Sequence, residues 1–308
     1  PVVTTFKAKG QIPDTHPLGA GVLGRSGTPV ASWFMNEADL LLVFGASFSD
    51  HTGISTSKPI VQVDFDRMAL GKFHAVDVAV WGDIGRTAVL LLEGLKEPAP
   101  RRRDQRAELA ERWRLWREEK GTRAARDDGR GVSSAAVFAA LSDAAPEGAV
   151  ICVDVGNNTY SFGRYFECRE GQSVEMSGYL GSIGFGFPAA MGAWAAVKGA
   201  RRVISVSGDG GFGQYLAELT TAVKYGMDIT HVLLNNSELG KISKEQRDGE
   251  WRVWQTSLHN PSFTEYARIC GAAGFRVTSA ELLGQALEHA LAEPGPAIVE
   301  VIADPLLT

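Results

Sequence analysis

Apolar residues in this chain follow two periods, one typical of strands and one typical of helices, most clearly between residues 202 and 234. Arg202 to Ser207 (RVISVS) alternates β-branched residues and predicts a buried strand that ends at Gly208. Phe212 to Tyr225 carries apolar residues at helical spacing, and Ile229 to Leu234 (ITHVLL) predicts the next strand. A strand–helix–strand unit of this length makes the two strands parallel.

The same alternation extends over most of the chain and predicts two α/β units. The first covers residues 1–95, and the second covers residues 131–308 and ends with a helix over Ala280 to Leu291 and a strand over Ala297 to Ile302. We therefore predict an α/β protein of two doubly wound, Rossmann-like domains with mainly parallel sheets.

Residues 96–130 interrupt this alternation and predict a charged helical linker. Arg101 to Arg126 is dense in Arg and Glu, whereas Leu109, Trp113 and Trp116 recur at helical spacing. This pattern predicts a solvated helix with one apolar stripe docked on the domains. The acidic residues neutralise the basic ones, so the segment does not have the charge of a nucleic-acid surface.

Composition narrows the classes of function. The 308 residues carry a formal net charge of −5, which favours neither nucleic acid nor an anionic membrane as a partner. No apolar run reaches the ~20 residues of a membrane span, and no signal peptide opens the chain. The cysteines are scattered and odd in number, which predicts a reducing cytoplasmic location: Cys152, Cys168 and Cys270. The six histidines lack metal-ligand spacing, so no zinc site is predicted.

The candidate chemistry lies where the two clearest strands end. Gly208-Asp209-Gly210 follows the first strand and Asn235-Asn236 the second. Because parallel strands share their carboxyl edge, Asp209 and Asn236 should meet there and offer two hard oxygen ligands to Mg²⁺. Gly210 and Gly211 can donate backbone N–H groups to a phosphate. An Asp at a strand end and an Asn in a turn also serve local hydrogen bonding, and this simpler interpretation stays open.

These residues resemble a known family. Gly-Asp-Gly, a spacer of this length and Asn-Asn is similar to the thiamine-diphosphate motif of enzymes that act on 2-oxo acids, most of all acetolactate synthases and pyruvate oxidases. Four further segments resemble that family in the same order: Ala38–Gly45, Val61–Asp66, Asp154–Gly156 and Ser177–Ala190 (SGYLGSIGFGFPAA). The resemblance covers essentially the whole chain.

The resemblance implies a site for thiamine diphosphate and Mg²⁺. The metal ligands would be Asp209, Asn236 and the backbone carbonyl of Glu238, and Ile183 would be the apolar wedge between the two cofactor rings. The other implied contacts are Gly156, Asn157, Asn158, Gly181, Ser182, Gly208, Gly210, Gly211, Leu239 and Gly240. Two alternatives stay open: Ile183 as a core residue at a helix start, and Asn157 or Asn158 as a helix N-cap.

Lys241 departs from the family pattern, since relatives usually have a large apolar residue at this position. If Lys241 faces the pocket, its charge can hold a carboxylate of the substrate or of an acceptor. If it faces solvent, it is an ordinary surface lysine. The sequence does not decide between these orientations.

In the first domain, the resemblance implies a site for the ADP half of FAD. The residues concerned are glycine, small or acidic residues near predicted strand ends: Gly45, Ala46, Ser47, Asp64, Asp66 and Asp83. Ser47 and His51 stand where FAD-binding relatives often carry arginines. FAD, another adenine nucleotide and a vestigial site therefore remain alternatives.

The implied activity is decarboxylation of a 2-oxo acid, with pyruvate as the expected substrate. The two-carbon unit would pass to a second keto acid, to FAD and oxygen, or to a proton. The family's N-terminal domain, which carries the activating glutamate, resembles no segment here, so we expect a fragment with a truncated central domain. The cofactor would lie at a subunit interface of a homodimer or homotetramer.

Two other functions stay open. A nicotinamide dehydrogenase is disfavoured because no G-x-G-x-x-G follows a strand with an acid ~20 residues further on. A non-catalytic cofactor-binding relic is the other alternative.

Overall fold

A computed structural model describes residues 1–46, 49, 51–95 and 103–307. The strands of this part of the chain are β1 (Val2–Thr4), β2 (Gly19–Val22), β3 (Leu41–Phe44), β4 (Ile60–Asp64), β5 (Val78–Trp81), β6 (Val150–Val153), β7 (Ser173–Met176), β8 (Val203–Gly208), β9 (Ile229–Asn235), β10 (Ala273–Val277) and β11 (Ala297–Ile302). Short 3₁₀ turns cover Phe6–Ala8, Arg67–Ala69 and Ala280–Leu282.

The helices are α1 (Pro29–Glu37), α2 (Ile84–Gly94), α3 (Arg106–Ala124), α4 (Ser134–Ala144), α5 (Asn157–Tyr165), α6 (Gly186–Val197), α7 (Asp209–Phe212), α8 (Glu218–Lys224), α9 (Gly240–Asp248), α10 (Phe263–Cys270) and α11 (Leu283–Ala292). Within the ranges that the structure describes, no helix combines the length and apolar character needed to cross a membrane.

Six strands of the second unit form one parallel sheet in the order β10-β11-β9-β8-β6-β7. The four interior strands β11, β9, β8 and β6 are almost wholly buried because helices cover both faces of the sheet, as parallel sheets require. After β6 the chain adds β7 on one side of the sheet. After β8 it adds β9, β10 and β11 on the other side. The boundary between β6 and β8 is therefore a topological switch point, where such folds bind ligands.

The two clearest sequence predictions are confirmed, since β8 and β9 lie within one residue of the predicted strands and pair in parallel. The final strand, β11, also has its predicted bounds. The prediction of one continuous helix over Phe212 to Tyr225 was wrong. Three closely spaced glycines disfavour a helix here, and the chain turns between α7 and α8, bringing Tyr215 against Gly184.

The first unit is smaller and more open. Strands β1 and β2 form a parallel pair, and β3, β4 and β5 form a separate three-stranded parallel sheet. Much apolar surface of this sheet and of α2 is exposed, including Trp81 with 66% of its surface accessible. Both units have the α/β architecture and parallel strands that the sequence predicted.

The charged segment forms α3, and its predicted apolar stripe is buried. Trp113 donates its indole N–H to the carbonyl oxygen of Gly19 at 2.8 Å, and Trp116 stacks on Tyr165. Next to this stripe, Arg117 and Lys120 pair with Glu167. Helix α3 therefore binds the first unit and the second unit at the same time.

Candidate cofactor site

Asp209 begins α7 at the carboxyl end of β8, and only 2% of its surface is accessible. Its Oδ1 accepts a hydrogen bond from the Gly210 N–H at 3.0 Å. Its Oδ2 accepts from the Ser237 N–H at 2.8 Å and from Nδ2 of Asn260 at 2.6 Å. Burial raises the pKa of Asp209 above its ordinary value. The residue that follows β8 thus contacts the segment that follows β9 through Ser237, the neighbour of Asn236.

The segment after β9 brings Asn236 and Glu238 to this edge. The Glu238 N–H donates to Oδ1 of Asn236 at 3.2 Å. Oε2 of the Glu238 carboxylate accepts from the Ser243 hydroxyl at 3.0 Å and faces Arg247 on α9. Among the described residues, Oε1 is buried without a hydrogen-bond partner. The backbone carbonyl of Glu238, the ligand that the resemblance implies, accepts from the Gly240 N–H at 2.9 Å and keeps a second lone pair for a cation.

The loop after β6 lies against the segment after β9. A Cβ added to Gly240 would lie 2.9 Å from Nδ2 of Asn157 and 3.0 Å from Nδ2 of Asn236, so these three residues meet. Helix α5 begins at Asn157 with Gly156 as its N-cap. The alternative of Asn157 or Asn158 as the cap was wrong, because Asn158 instead donates to the carbonyl oxygen of Asp154 at 2.8 Å.

Ile183 is 38% exposed and precedes α6, which begins at Gly186. The interpretation of Ile183 as a core residue at a helix start was therefore wrong. The flanking loop is held closely: Ser182 N–H donates to the Ser177 hydroxyl at 3.1 Å. A Cβ at Gly184 would lie 2.5 Å from the ring of Tyr215, so glycine is required there.

Asp154 is a site residue to which the sequence analysis gave no role, although it belongs to the motif segment Asp154–Gly156. It is 1% exposed and accepts hydrogen bonds from the N–H groups of Val155 at 2.7 Å and of Gly184 and Phe185 at 3.0 Å. A Cβ on Gly211 would lie 2.0 Å from its Oδ2. Asp154 therefore joins three cofactor loops, and burial raises its pKa to about 6.

Lys241 lies on the first turn of α9, where its ammonium pairs with Glu245. The same ammonium lies 5.4 Å from the ring centroid of Tyr160 on α5. The side chain of Lys241 therefore reaches from α9 to α5, near the helix starts at Asn157 and Gly240. Its charge is balanced by Glu245 and partly covered by an aromatic face.

The residues implied for an ADP site lie at the carboxyl edge of the three-stranded sheet. Gly45, Asp64 and Asp83 follow or end β3, β4 and β5, and Ala46 adjoins Gly45. Asp64 accepts from the Asp66 N–H, while Asp66 and Asp83 cap the helical turns that follow them. Ser47 lies outside the described residues.

The donor set at the β8 and β9 ends consists of oxygen atoms from a carboxylate, an amide and a backbone carbonyl. Within the described ranges there is no cluster of three or more His, Cys, Asp or Glu side chains able to hold a metal. A small, hard cation that completes its octahedron with phosphate and water oxygens suits this sparse set, whereas zinc does not. The residues present thus fit Mg²⁺ together with a diphosphate.

Comparison with known families agrees with this geometry. Residues 154–301 match the C-terminal TPP binding domain of thiamine pyrophosphate enzymes, and residues 1–91 match the central domain of the same enzymes. The chain belongs to the thiamine pyrophosphate enzymes. Thiamine pyrophosphate is the same compound as thiamine diphosphate, and the match places its binding domain on the six-stranded sheet.

Several relatives of this thiamine pyrophosphate enzyme align over nearly its full length. A putative thiamine pyrophosphate-containing protein, YdaP, of Bacillus subtilis is 36% identical over 98% of the chain and 52% of its own length. The acetolactate synthase large subunit of Parasynechococcus marenigrum is 31% identical over 98% of the chain and 49% of its own length. The acetolactate synthase isozyme 1 large subunit of Escherichia coli is 31% identical over 99% of the chain and 54% of its own length. The chain thus spans about half the length of these curated relatives.

Proposed function

We propose that this enzyme binds thiamine diphosphate with Mg²⁺ and decarboxylates a 2-oxo acid, with pyruvate as the substrate and an acetolactate-synthase-like transfer of the two-carbon unit. The observation that carries the proposal is the convergence of four loops on one sheet edge, around the buried carboxylates of Asp154 and Asp209. The similarity to acetolactate synthase large subunits supports the reaction class.

Asp209 Oδ1, Asn236 Oδ1 and the Glu238 carbonyl would hold the metal. The N–H groups of Gly210 and Gly211 lie in the first turn of α7 and would bind the diphosphate, because such groups have no backbone acceptor within the helix. The Gly210 N–H, which donates to Asp209 Oδ1, would exchange that acceptor for a phosphate oxygen. When bound, thiamine diphosphate supplies an electron sink for the carbanion that remains after CO₂ leaves.

Ile183 would support the cofactor in a bent conformation. Its side chain is partly exposed at the site although most apolar side chains of this domain are buried, and Gly181, with a positive φ of 65° and open space at its Cβ position, precedes it. Ser182 and Gly184 are both held by hydrogen bonds, so the loop fixes the position of Ile183. A fixed apolar wedge orients bound rings without offering them a polar partner.

Lys241 would contribute to recognition of the substrate carboxylate. Its ammonium lies over the ring of Tyr160 on α5, and its present partner is the exposed Glu245. A carboxylate that replaces Glu245 would gain a cation in a partly desolvated position. This arrangement favours a 2-oxo acid over a neutral carbonyl compound.

The cofactor would lie at an interface with a second subunit, in at least a dimer and in the cytoplasm. Tyr179 and Leu180, immediately before the loop that carries Ile183, are 93% and 81% exposed. Large apolar side chains of this kind beside a site are typical of a surface that another polypeptide covers. The activating glutamate would come from that second subunit.

A flavin-dependent oxidase of the pyruvate oxidase type is the second candidate. The observation that favours it is the shared edge of Gly45, Asp64 and Asp83 in the three-stranded sheet. The exposed indole of Trp81 beside this edge offers an aromatic face to an adenine ring. Titration of the protein with FAD, followed by quenching of flavin fluorescence, separates this candidate from a transferase without a flavin.

The proposed activity is tested on the full-length protein stripped of cofactor and metal. We expect CO₂ release from pyruvate only when thiamine diphosphate and Mg²⁺ are both restored, with acetolactate as the product. Acetate or acetyl phosphate with peroxide would favour the oxidase. Cofactor binding of equal affinity in chelator, or no decarboxylation by the restored protein, would overturn the proposal.

A further inference from the structure

A chain of hydrogen bonds connects Asp209 to a fully buried acid on the far side of β9. Nδ2 of Asn260 donates to Asp209 Oδ2 at 2.6 Å and to Oδ1 of Asn235 at 3.0 Å. Nδ2 of Asn235 donates in turn to Oε1 of Glu300 at 2.9 Å. Asn260 and Glu300 were not among the site residues predicted from the sequence, and Asn235 was named only as part of the Asn235-Asn236 motif.

Glu300 is 0% exposed on β11, and donors surround its carboxylate. Its Oε2 accepts from the Thr264 N–H at 3.0 Å and from the Thr264 hydroxyl at 2.7 Å, and Arg276 pairs with it at 3.3 Å. A buried carboxylate is stable only with such partners. Glu300 is thus a fixed acceptor anchored to α10 and β10.

Fixed acceptors at both ends determine the orientation of the two amides between them. A carboxylate accepts hydrogen bonds but does not donate them, so Asn235 must turn Nδ2 toward Glu300 and Oδ1 toward Asn260. Asn260 must then present its NH₂ group, whose two hydrogens serve Asn235 and Asp209. If either amide were reversed, two oxygen atoms would face each other at hydrogen-bond distance.

The same contacts distinguish the two oxygens of Asp209. Oδ2 accepts from both Ser237 and Asn260, which uses its two lone-pair directions. Among the residues that the structure describes, the Gly210 N–H is the one donor to Oδ1, at 3.0 Å, which leaves one direction for another ligand. Oδ2 is therefore held by two donors, and Oδ1 lies beside Gly210 on the first turn of α7.

We infer that Asn260 and Glu300 are positioning residues for the metal site: Glu300 orients Asn235, Asn235 orients Asn260, and Asn260 holds Asp209 with Oδ1 toward the cation. This inference rests on the proposed Mg²⁺ site. Residues that hydrogen-bond to a metal ligand orient it and raise the affinity of the site.

The test measures metal affinity directly, with Mn²⁺ as a paramagnetic probe titrated into the full-length protein with saturating thiamine diphosphate. We expect Asn260→Ala and the isosteric Asn260→Asp to weaken Mn²⁺ binding by about 10- to 100-fold. Asn260→Asp preserves size but removes the donor, so it should be no better than alanine. Glu300→Gln should weaken binding by about tenfold, because an amide cannot accept from all the present donors.

Ser262→Ala is the matched control, since Ser262 lies in the same loop and caps α10 through the Glu265 N–H. It should lower the thermal midpoint and leave Mn²⁺ affinity unchanged. Wild-type affinity in Asn260→Asp would overturn the positioning role while leaving the metal site intact. An absence of Mn²⁺ binding in the wild type would instead contradict the proposed function itself.

Discussion

The two parallel sheets of this protein both place aspartates at their carboxyl edges, but they use them differently. In the large sheet, Asp154 and Asp209 are buried and bond to groups 28 to 51 residues away, such as Gly184, Ser237 and Asn260. In the small sheet, Asp66 and Asp83 are exposed, and within the described ranges their carboxylates accept from N–H groups two or three residues further on.

An aspartate that follows a strand occurs in both sheets, but its burial and its hydrogen-bond partners decide what it does. A locally satisfied aspartate stabilises its own turn and needs no ligand. A buried aspartate that accepts hydrogen bonds from several loops holds a set of polar atoms in fixed positions. Because little water surrounds its carboxylate, the attraction between that carboxylate and a bound cation is strong. The cofactor edge is of the second kind, and the following substitutions test this contrast.

The largest contrast is expected between Asp209→Ala and Asp66→Ala. Removing Asp209 takes away the only charged protein ligand proposed for the metal, so affinity for thiamine diphosphate in Mg²⁺ should fall by more than about 100-fold. Asp66→Ala should leave this affinity unchanged. Isothermal titration calorimetry with Mg²⁺ and with chelator measures both, and equal losses in the two variants would abolish the distinction.

A second contrast concerns folding rather than binding. Asp154→Ala leaves the N–H groups of Val155, Gly184 and Phe185 without their acceptor and should lower the free energy of unfolding by about 3 kcal/mol. Asp83→Ala removes only a helix cap and should cost about 1 kcal/mol. Urea denaturation gives both values, and a larger loss for Asp83 would reverse our interpretation.

The pH dependence of stability should also differ between the sheets. Burial raises the pKa of Asp154 to about 6 from its ordinary 3.8, so the folded state holds this proton more tightly than the unfolded chain. Its stabilising contribution is therefore complete below about pH 4 and is lost as the pH rises through about 6, by about 3 kcal/mol.

Asp154→Asn should remove this slope. The free energy of unfolding of the wild type, minus that of the variant, should fall between about pH 4 and about pH 7. Asp83→Asn is the comparison variant from the small sheet. A difference for Asp154→Asn that stays constant with pH would show that Asp154 does not titrate in this range.

The smallest effect is expected from Lys241→Met, which replaces the ammonium by an apolar group on an unbranched side chain. Because Glu245 balances the lysine, the preference for pyruvate over a neutral aldehyde should fall only about threefold to tenfold in kcat/KM. Affinity for the cofactor should stay unchanged. Steady-state kinetics decides the matter, and unaltered selectivity would place Lys241 outside substrate recognition.

Periodicity in the sequence was sufficient to predict the parts of the fold that depend on burial. The strands β8, β9 and β11, the buried stripe of α3 and the meeting of Asp209 with the end of β9 follow from it. Parallel strands and amphipathic helices have periods that do not depend on distant partners. The resemblance to thiamine-diphosphate enzymes predicts the cofactor at the edge where these residues meet.

The remaining features depend on contacts between residues far apart in sequence. The helix break after Phe212 accompanies the packing of Tyr215 on Gly184, and the role of Asp154 depends on N–H groups 30 residues away. Asn260 follows no strand end and matches no short motif, so only the tertiary structure brings it to Asp209. No periodic signal could have indicated these contacts.

Helix α3 has a consequence for how this protein can be divided. One continuous core joins the first unit, α3 and the second unit. It includes Ala20, Val30 and Phe34 of the first unit, Leu109, Trp113 and Trp116 of α3, and Phe138 and Phe162 of the second unit. A cut at residue 131 would therefore leave the six-stranded sheet with an uncovered aromatic surface. The smallest transplantable module is larger than the cofactor domain, since it includes α3 and the segment containing β2 and α1.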